Sequence, residues 1–328
     1  MSTSRRAKSL LVFFAFFIDQ VACKGGKGGG IKGKGSDIGE SVGSSLNLPP
    51  ELTAVFAITI VVAVFTFYQI GRAASRLKKS VLPEGSPTLP YDVGKLFPWM
   101  LFAYLGVYLL WTILYAVYIA VEQGASLGGL AIGMRFVAQV SDVLFFGMLL
   151  AIVAYRLRIQ LNPSEPLFNL KSFLDGWLLT VILILGIGRD VLAGTLASGT
   201  LIDVRSISNF DVAYEVFDFL GCLNVIGTSI MAHLRLKKSE IADNIVKIAA
   251  FFVTPFIFIR GLYRLIEIGI FNTVPPPPVD PAALIIARAV IDGIASIVIV
   301  GLCLLMGAPP KPSKGDKNKN VTYEPVKA

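Results

Sequence analysis

Five arginines and seven carboxylates stand inside segments that are otherwise apolar, and their spacing is helical. Asp211, Glu215 and Asp218 recur at intervals of four and three, as do Arg260, Arg264 and Glu267. Arg288 and Asp292 are four apart, Arg135 and Asp142 are two turns apart, and Arg189 adjoins Asp190. Residues three and four apart lie on one face of a helix. An ionised side chain at the centre of a membrane-crossing helix costs about 2.5 to 3.5 kcal/mol on insertion scales, so such residues face one another or a wet cavity. All five cations are arginine, whose planar guanidinium grips a carboxylate or phosphate through two hydrogen bonds. The chemistry indicated is ion pairing and ligand binding. The candidate ligand-binding residues are Asp142, Arg189, Glu215, Asp218, Arg260, Arg264, Glu267, Arg288 and Asp292. A water-filled cavity and a buried network that only fixes helix packing both satisfy the pattern, and the outermost groups, Asp211 and Glu267, fit solvation at the membrane interface. In the cavity reading, the excess of carboxylates favours a cationic ligand or proton coupling.

The elements that must position these residues are seven apolar stretches, over 52–70, 96–121, 132–155, 173–196, 212–234, 245–270 and 282–306. Each approaches the 20 or so residues that a helix needs to cross a hydrocarbon core about 30 Å thick. Hydrophobic residues make up 54% of the chain and charged residues 16%, against about 25% charged in soluble domains. Mean hydropathy is +0.69. The fold class is therefore all-α: a polytopic membrane protein whose body, 51–307, is a seven-transmembrane helix bundle.

The ends read differently. Arg5, Arg6 and Lys8 precede a short apolar run and compact residues up to Cys23, the layout of a signal peptide over 1–23, with a signal anchor as the competing reading. Residues 24–50 begin with an almost pure glycine–lysine tract and read as a flexible extracellular tether. Residues 308–328 read as a disordered, lysine-rich tail. Basic residues concentrate in the connections after the first, third and fifth stretches, whereas those after the second, fourth and sixth contain only Arg205. Cytoplasmic loops retain Lys and Arg, so the N-terminus of the body is expected outside and the C-terminus in the cytoplasm, in the secretory pathway or plasma membrane. Membrane lipids are expected partners, as is a cytosolic protein at basic inner loops such as that of Lys237 and Lys238. The formal charge of +8 is divided among loops instead of sharing one face, which argues against nucleic acid.

Several chemistries lack their residues. Cys23 belongs to the leader, and Cys222 and Cys303 fall inside apolar stretches, so no extracellular disulfide framework is available. The single histidine, His233, rules out a zinc site of several His and Cys ligands. No nucleophile, base, metal or cofactor constellation is recognisable, so an enzyme is not expected. The seventh stretch has no lysine for a retinal Schiff base and no Asn-Pro-x-x-Tyr receptor signature. Pro255 is expected to kink the sixth stretch and is a candidate gating residue. Gly129 with Gly133, and Gly186 with Gly188, are expected to permit close helix contacts.

The run Arg260-Gly261-Leu262-Tyr263-Arg264-Leu265-Ile266-Glu267 resembles the Arg-x-x-Tyr-Arg-x-x-Glu segment of the fungal RTA-like family, and Asp292 matches that family's following aspartate. A related fungal seven-span family fits equally. Residues 275–283 depart from the acidic-aromatic stretch that precedes the family's aspartate. The resemblance implies seven spans and the translocation of lipids or toxic amphiphiles. The functional expectations are a protein that handles or exports a lipid or small amphipathic molecule, a receptor-like protein that senses an external ligand, or a structural membrane protein. The orientation is open to glycosylation mapping. A sequon engineered into 24–48 should be modified and the native Asn320-Val321-Thr322 should not; modification of Asn320 would reverse the assignment.

Overall fold

The computed structural model describes residues 49–77, 93–94, 96–121, 128–161, 170–197, 204–272 and 280–306. The expected signal peptide, the tether through residue 48, the proline run 275–278 and the tail lie outside them. Helix α1 spans Pro50–Leu77, α2 Leu96–Val121, α3 Gly128–Leu161, α4 Leu170–Ala197 and α5 Val204–Lys238. The sixth span comprises α6 (Asn244–Ile248), a π-helical turn (Ala249–Val253) and α7 (Thr254–Asn272), and α8 covers Pro281–Met306. The described residues contain seven helical spans long and apolar enough to cross a membrane, so the chain is an all-α, multi-pass membrane protein. Helices satisfy every backbone polar group internally, which a lipid surround demands.

Most helices extend past the apolar stretches that announce them. Helix α5 starts at Val204, two turns before its apolar stretch, and ends in a basic turn of Arg235, Lys237 and Lys238. Cations at a helix C-terminus complement the exposed carbonyls. Arg72, Arg76, Arg156, Arg158, Lys171 and Lys247 likewise stand on helices, not in connections. Hydropathy marks only the apolar part of each helix, whereas the backbone ladder continues past it.

Neighbouring helices pack in chain order around a ring that α8 closes against α1, and α3 also packs against α5. Half or more of the span window of α3 is buried, against 11% for α4. Helix α3 is thus the central pillar, and α4 turns Phe173, Trp177, Ile184 and Val191 outward, where lipid would cover them. Tyr104 of α2 packs on Phe145 of α3 with ring centroids 5.4 Å apart. Gly186 and Gly188 serve the close contacts expected of them, since a Cβ at the first would collide with Gln139 and at the second with Phe210. Gly129 and Gly133 do not: open space faces both, because the cavity end of α3 begins outside tight helix contact.

The irregular backbone of the sixth span has a local cause. Pro255 has no N–H to donate. In the π turn the amide of Thr254 reaches back to the Ala249 carbonyl, which leaves the Ala250 carbonyl without a backbone donor from Thr254 or Pro255. The Thr254 hydroxyl donates to it at 2.6 Å. Widening by one residue thereby accommodates the proline ring within a continuous span.

The end of the bundle where α3 finishes is tied by Arg156. Its Nη2 lies 2.6 Å from Asp243 Oδ2 and its Nε donates to the same oxygen at 2.7 Å. Asp243 also caps α6 by accepting from the amides of Ile245 and Val246 through Oδ1. Both side chains are fully enclosed, and a buried carboxylate stripped of its partner is left uncompensated. Arg156→Ala should lower unfolding stability in detergent by about 3 kcal/mol or more; a change under about 0.5 kcal/mol would show that the pair is not a structural tie.

Candidate functional site

The charged residues gather at the opposite end, where α2, α4 and α7 finish and α1, α3, α5 and α8 begin. A cavity of about 630 Å³ opens there. One wall is aromatic: Tyr108, Trp111 and Tyr115 of α2 lie at helical intervals, with Trp111 stacked on Tyr115 at 5.6 Å and Tyr108 tilted against Trp111 at 5.4 Å. Ile58 and Val62 of α1 and Ile285 and Ala289 of α8 continue the apolar lining. The other wall and the floor carry Asp142, Arg189, Asp211, Glu215, Arg264, Glu267, Arg288 and Asp292.

The floor is an ionic knot joining four helices. Arg260 Nη2 of α7 meets Asp142 Oδ1 of α3 at 2.5 Å, and its Nε faces Asp292 Oδ1 of α8 at 3.5 Å. Arg264, one turn further along α7, divides its donors among three carboxylates. Its Nη1 lies 2.9 Å from Asp142 Oδ2 and 3.4 Å from Asp218 Oδ2 of α5, while its Nη2 lies 3.1 Å from Asp292 Oδ2. Tyr214 of α5 donates its hydroxyl to Asp142 Oδ2 at 3.2 Å. The Arg260 guanidinium also sits over the Phe145 ring, 5.1 Å from its centroid. A void of about 20 Å³ below the cavity touches Tyr108, Ser141, Asp142, Arg260, Arg264 and Asp292, room for about one water molecule.

Two looser groups flank the knot. Arg288 Nη1 meets Glu267 Oε2 at 3.2 Å, with Asp292 at 3.9 Å and Glu215 at 4.0 Å. Its side chain is 44% exposed, so this group forms the mouth. On the α4 side, Arg189 Nε faces Asp211 at 3.5 Å and Asp190 at 3.7 Å, and its guanidinium covers the Tyr214 ring at 4.5 Å. Gln139 of α3 donates to Asp190 Oδ2 at 2.8 Å. Several buried acceptors nevertheless have no hydrogen-bond partner among the described residues, including Glu215 Oε2, Asp218 Oδ1 and Asp292 Oδ1.

All nine candidate ligand-binding residues lie in this one region. Seven of the nine line the cavity directly; Arg260 lines the smaller void and Asp218 stands behind Arg264. Glu267 departs from the interfacial placement: its side chain is 7% exposed because Arg288 folds over it, whereas Asp211 at 30% is half-open. Pro255 lines neither space and stands in the first turn of α7, just beyond the π turn. The aromatic wall is a site element that charge spacing does not reveal, although the i, i+3, i+7 spacing of Tyr108, Trp111 and Tyr115 carries a helical-face signal. Tyr214, between Asp211 and Asp218, and Gln139, between Arg135 and Asp142, share the charged faces by the same three-and-four spacing, but as uncharged residues they do not stand out in a count of charges. The segment Arg260–Glu267 is one face of α7 in which each motif residue has a partner, since Tyr263 donates to the Leu284 carbonyl of α8 at 2.8 Å.

A double-mutant cycle tests the knot. Asp142→Ala and Arg260→Ala should each destabilise the protein, with a coupling of at least about 1 kcal/mol, whereas Asp211→Ala should change stability by less than about 0.5 kcal/mol. Additive effects at Asp142 and Arg260 would mean that their contact contributes nothing.

Compared with protein-family models, curated proteins and solved structures, the chain matches none.

Proposed function

We propose that this protein binds a small amphipathic molecule with a cationic head in the charged cavity and passes it from the membrane toward the outer side. The observation that carries the proposal is the cavity's two-sided lining: an aromatic wall at Tyr108, Trp111 and Tyr115 faces carboxylates, among them Glu215, whose buried Oε2 has no partner among the described residues. Aromatic faces attract cations as well as apolar bodies, and charges placed within membrane spans mark substrate paths. The resemblance of Arg260–Glu267 to the RTA-like segment supports the same reading, with Pro255 and the π turn as the gating element. The observation behind the structural alternative is the completeness of pairing in the floor, where Asp142 and Asp292 each face two or more arginines.

The two readings differ at the mouth. With Trp99 and Trp177 replaced by Phe, Trp111 is the sole tryptophan and reports cavity occupancy by its fluorescence. Octylamine should change that emission saturably while octanol does so only weakly, and Glu215→Gln should weaken the octylamine response about tenfold, the size of one charge-assisted hydrogen bond. Cells lacking the protein should accumulate more of the amine. An emission that responds to neither probe, together with unchanged accumulation, would leave the ionic network a packing device.

A further inference from the structure

We propose that Asp218 is a proton-binding site, its carboxyl neutral in the resting floor of the cavity, with the proton on Oδ1. Two independent observations support this. The first is charge balance. The buried floor contains Arg260 and Arg264 against Asp142, Asp218 and Asp292, each no more than 8% exposed, and so has two cations for three carboxylates. The mouth group of Arg288, Glu215 and Glu267 does not correct this, since it also has more carboxylates than cations. An unbalanced charge in a desolvated interior is strongly unfavourable, and a proton removes it.

The second observation is that the three aspartates are not equivalent. Asp142 receives contacts from Arg260, Arg264 and Tyr214 at 2.5, 2.9 and 3.2 Å. Asp292 is held by Arg264 at 3.1 Å and faces Arg260 at 3.5 Å. Asp218 has one contact, 3.4 Å to an Arg264 nitrogen that Asp142 already holds more closely, and its Oδ1 has none among the described residues. Its surroundings are otherwise unhelpful to a second anion: Asp142 from α3 and Glu215 from its own helix add negative charge, Tyr214 and Cys222 stand beside it, and the cations that act on it are Arg264 and Arg260 of α7. Helix α4 directs Arg189 at Asp211 and over the Tyr214 ring. The surplus proton therefore belongs on Asp218, and Oδ2 keeps its contact with Arg264.

Asp218 lies one turn below Glu215 on the same face of α5. A cation seated at Glu215 and a proton at Asp218, one turn apart, oppose each other electrostatically, so cation occupancy should release the proton; this extension rests on the ligand reading, whereas the proton site does not.

Infrared spectroscopy of the full chain in an ester-free detergent tests the site without any ligand. At neutral pH the wild type should show a protonated-carboxyl C=O band that shifts in D2O and shifts again when aspartate side chains carry 13C. Asp218→Asn, an isostere of the neutral acid, should abolish the band and retain the wild-type unfolding temperature, whereas Asp142→Asn should lower that temperature. Asp218→Glu should transfer the isotope sensitivity from aspartate to glutamate label, a readout that remains if the asparagine variant folds poorly. A wild type with no such band, or a band that persists in Asp218→Asn, would overturn the proposal. Added octylamine should diminish the band; a band that persists unchanged while Trp111 responds would remove only the coupling.

Discussion

An arginine inside a membrane helix must be met by acceptors before the helix is stable there, and Arg264 meets that requirement with three. Asp142 comes from α3, Asp218 from α5 and Asp292 from α8. Because these carboxylates belong to helices distant in sequence, the requirement can be met only when the ring has closed. Hydrophobic burial does not select between arrangements of apolar helices in lipid, where tails are as apolar as side chains. The ionic knot supplies the missing specificity: an alternative packing would strand at least one charge.

From this knot the site loosens outward in a graded way. Arg260 and Arg264 are nearly enclosed and pair with Asp142 at 2.5 to 2.9 Å, whereas Arg288 is close to half exposed and its contacts run from 3.2 to 4.0 Å. Short buried pairs resist substitution because removing one partner leaves a charge without water or counter-ion. Longer pairs at an open mouth can exchange partners with a ligand at small cost. In the proposed reading the same residue types serve as structure at the bottom of the cavity and as recognition at its top, with depth deciding which.

Legibility in the sequence depends on which interactions have a period. Seven apolar stretches announce seven helices because each must individually cross the same thickness. The charged layer is legible too: Arg260, Arg264 and Glu267 share a face by spacing, as do Asp211, Glu215 and Asp218. Pairing between faces has no such signature. That Asp142 receives Arg260, and that Glu267 is covered by Arg288, depends on helix rotation within the ring. The Arg156–Asp243 tie is hidden for a related reason. Arg156 follows an apolar stretch and resembles any cytoplasmic-loop cation, and Asp243 stands in a short polar link, so neither looks buried until α3 and α6 are placed together.

The two ionic anchors also define what lies between them. Asp142 and Arg156 are both on α3, about 21 Å apart at 1.5 Å per residue, so one rigid helix is held at both ends. Each anchor holds a different part of the sixth span: Arg156 holds Asp243 at the start of α6, and Asp142 holds Arg260 and Arg264 on α7. Between those attachments lies the π turn at Ala249–Val253, with Pro255 just beyond it. An α-helical rod fixed at both ends would have to match the length and phase of α3 by chance. One extra residue in a π turn changes both the rise and the rotation of the helix beyond it. In this protein it sets the phase that brings Arg260, Arg264 and Glu267 to bear on the cavity while Asp243 keeps its place under Arg156. Backbone irregularity and charged site are then one solution to a single geometric problem, and Thr254, by donating to the Ala250 carbonyl, removes the polar cost of that solution inside the membrane.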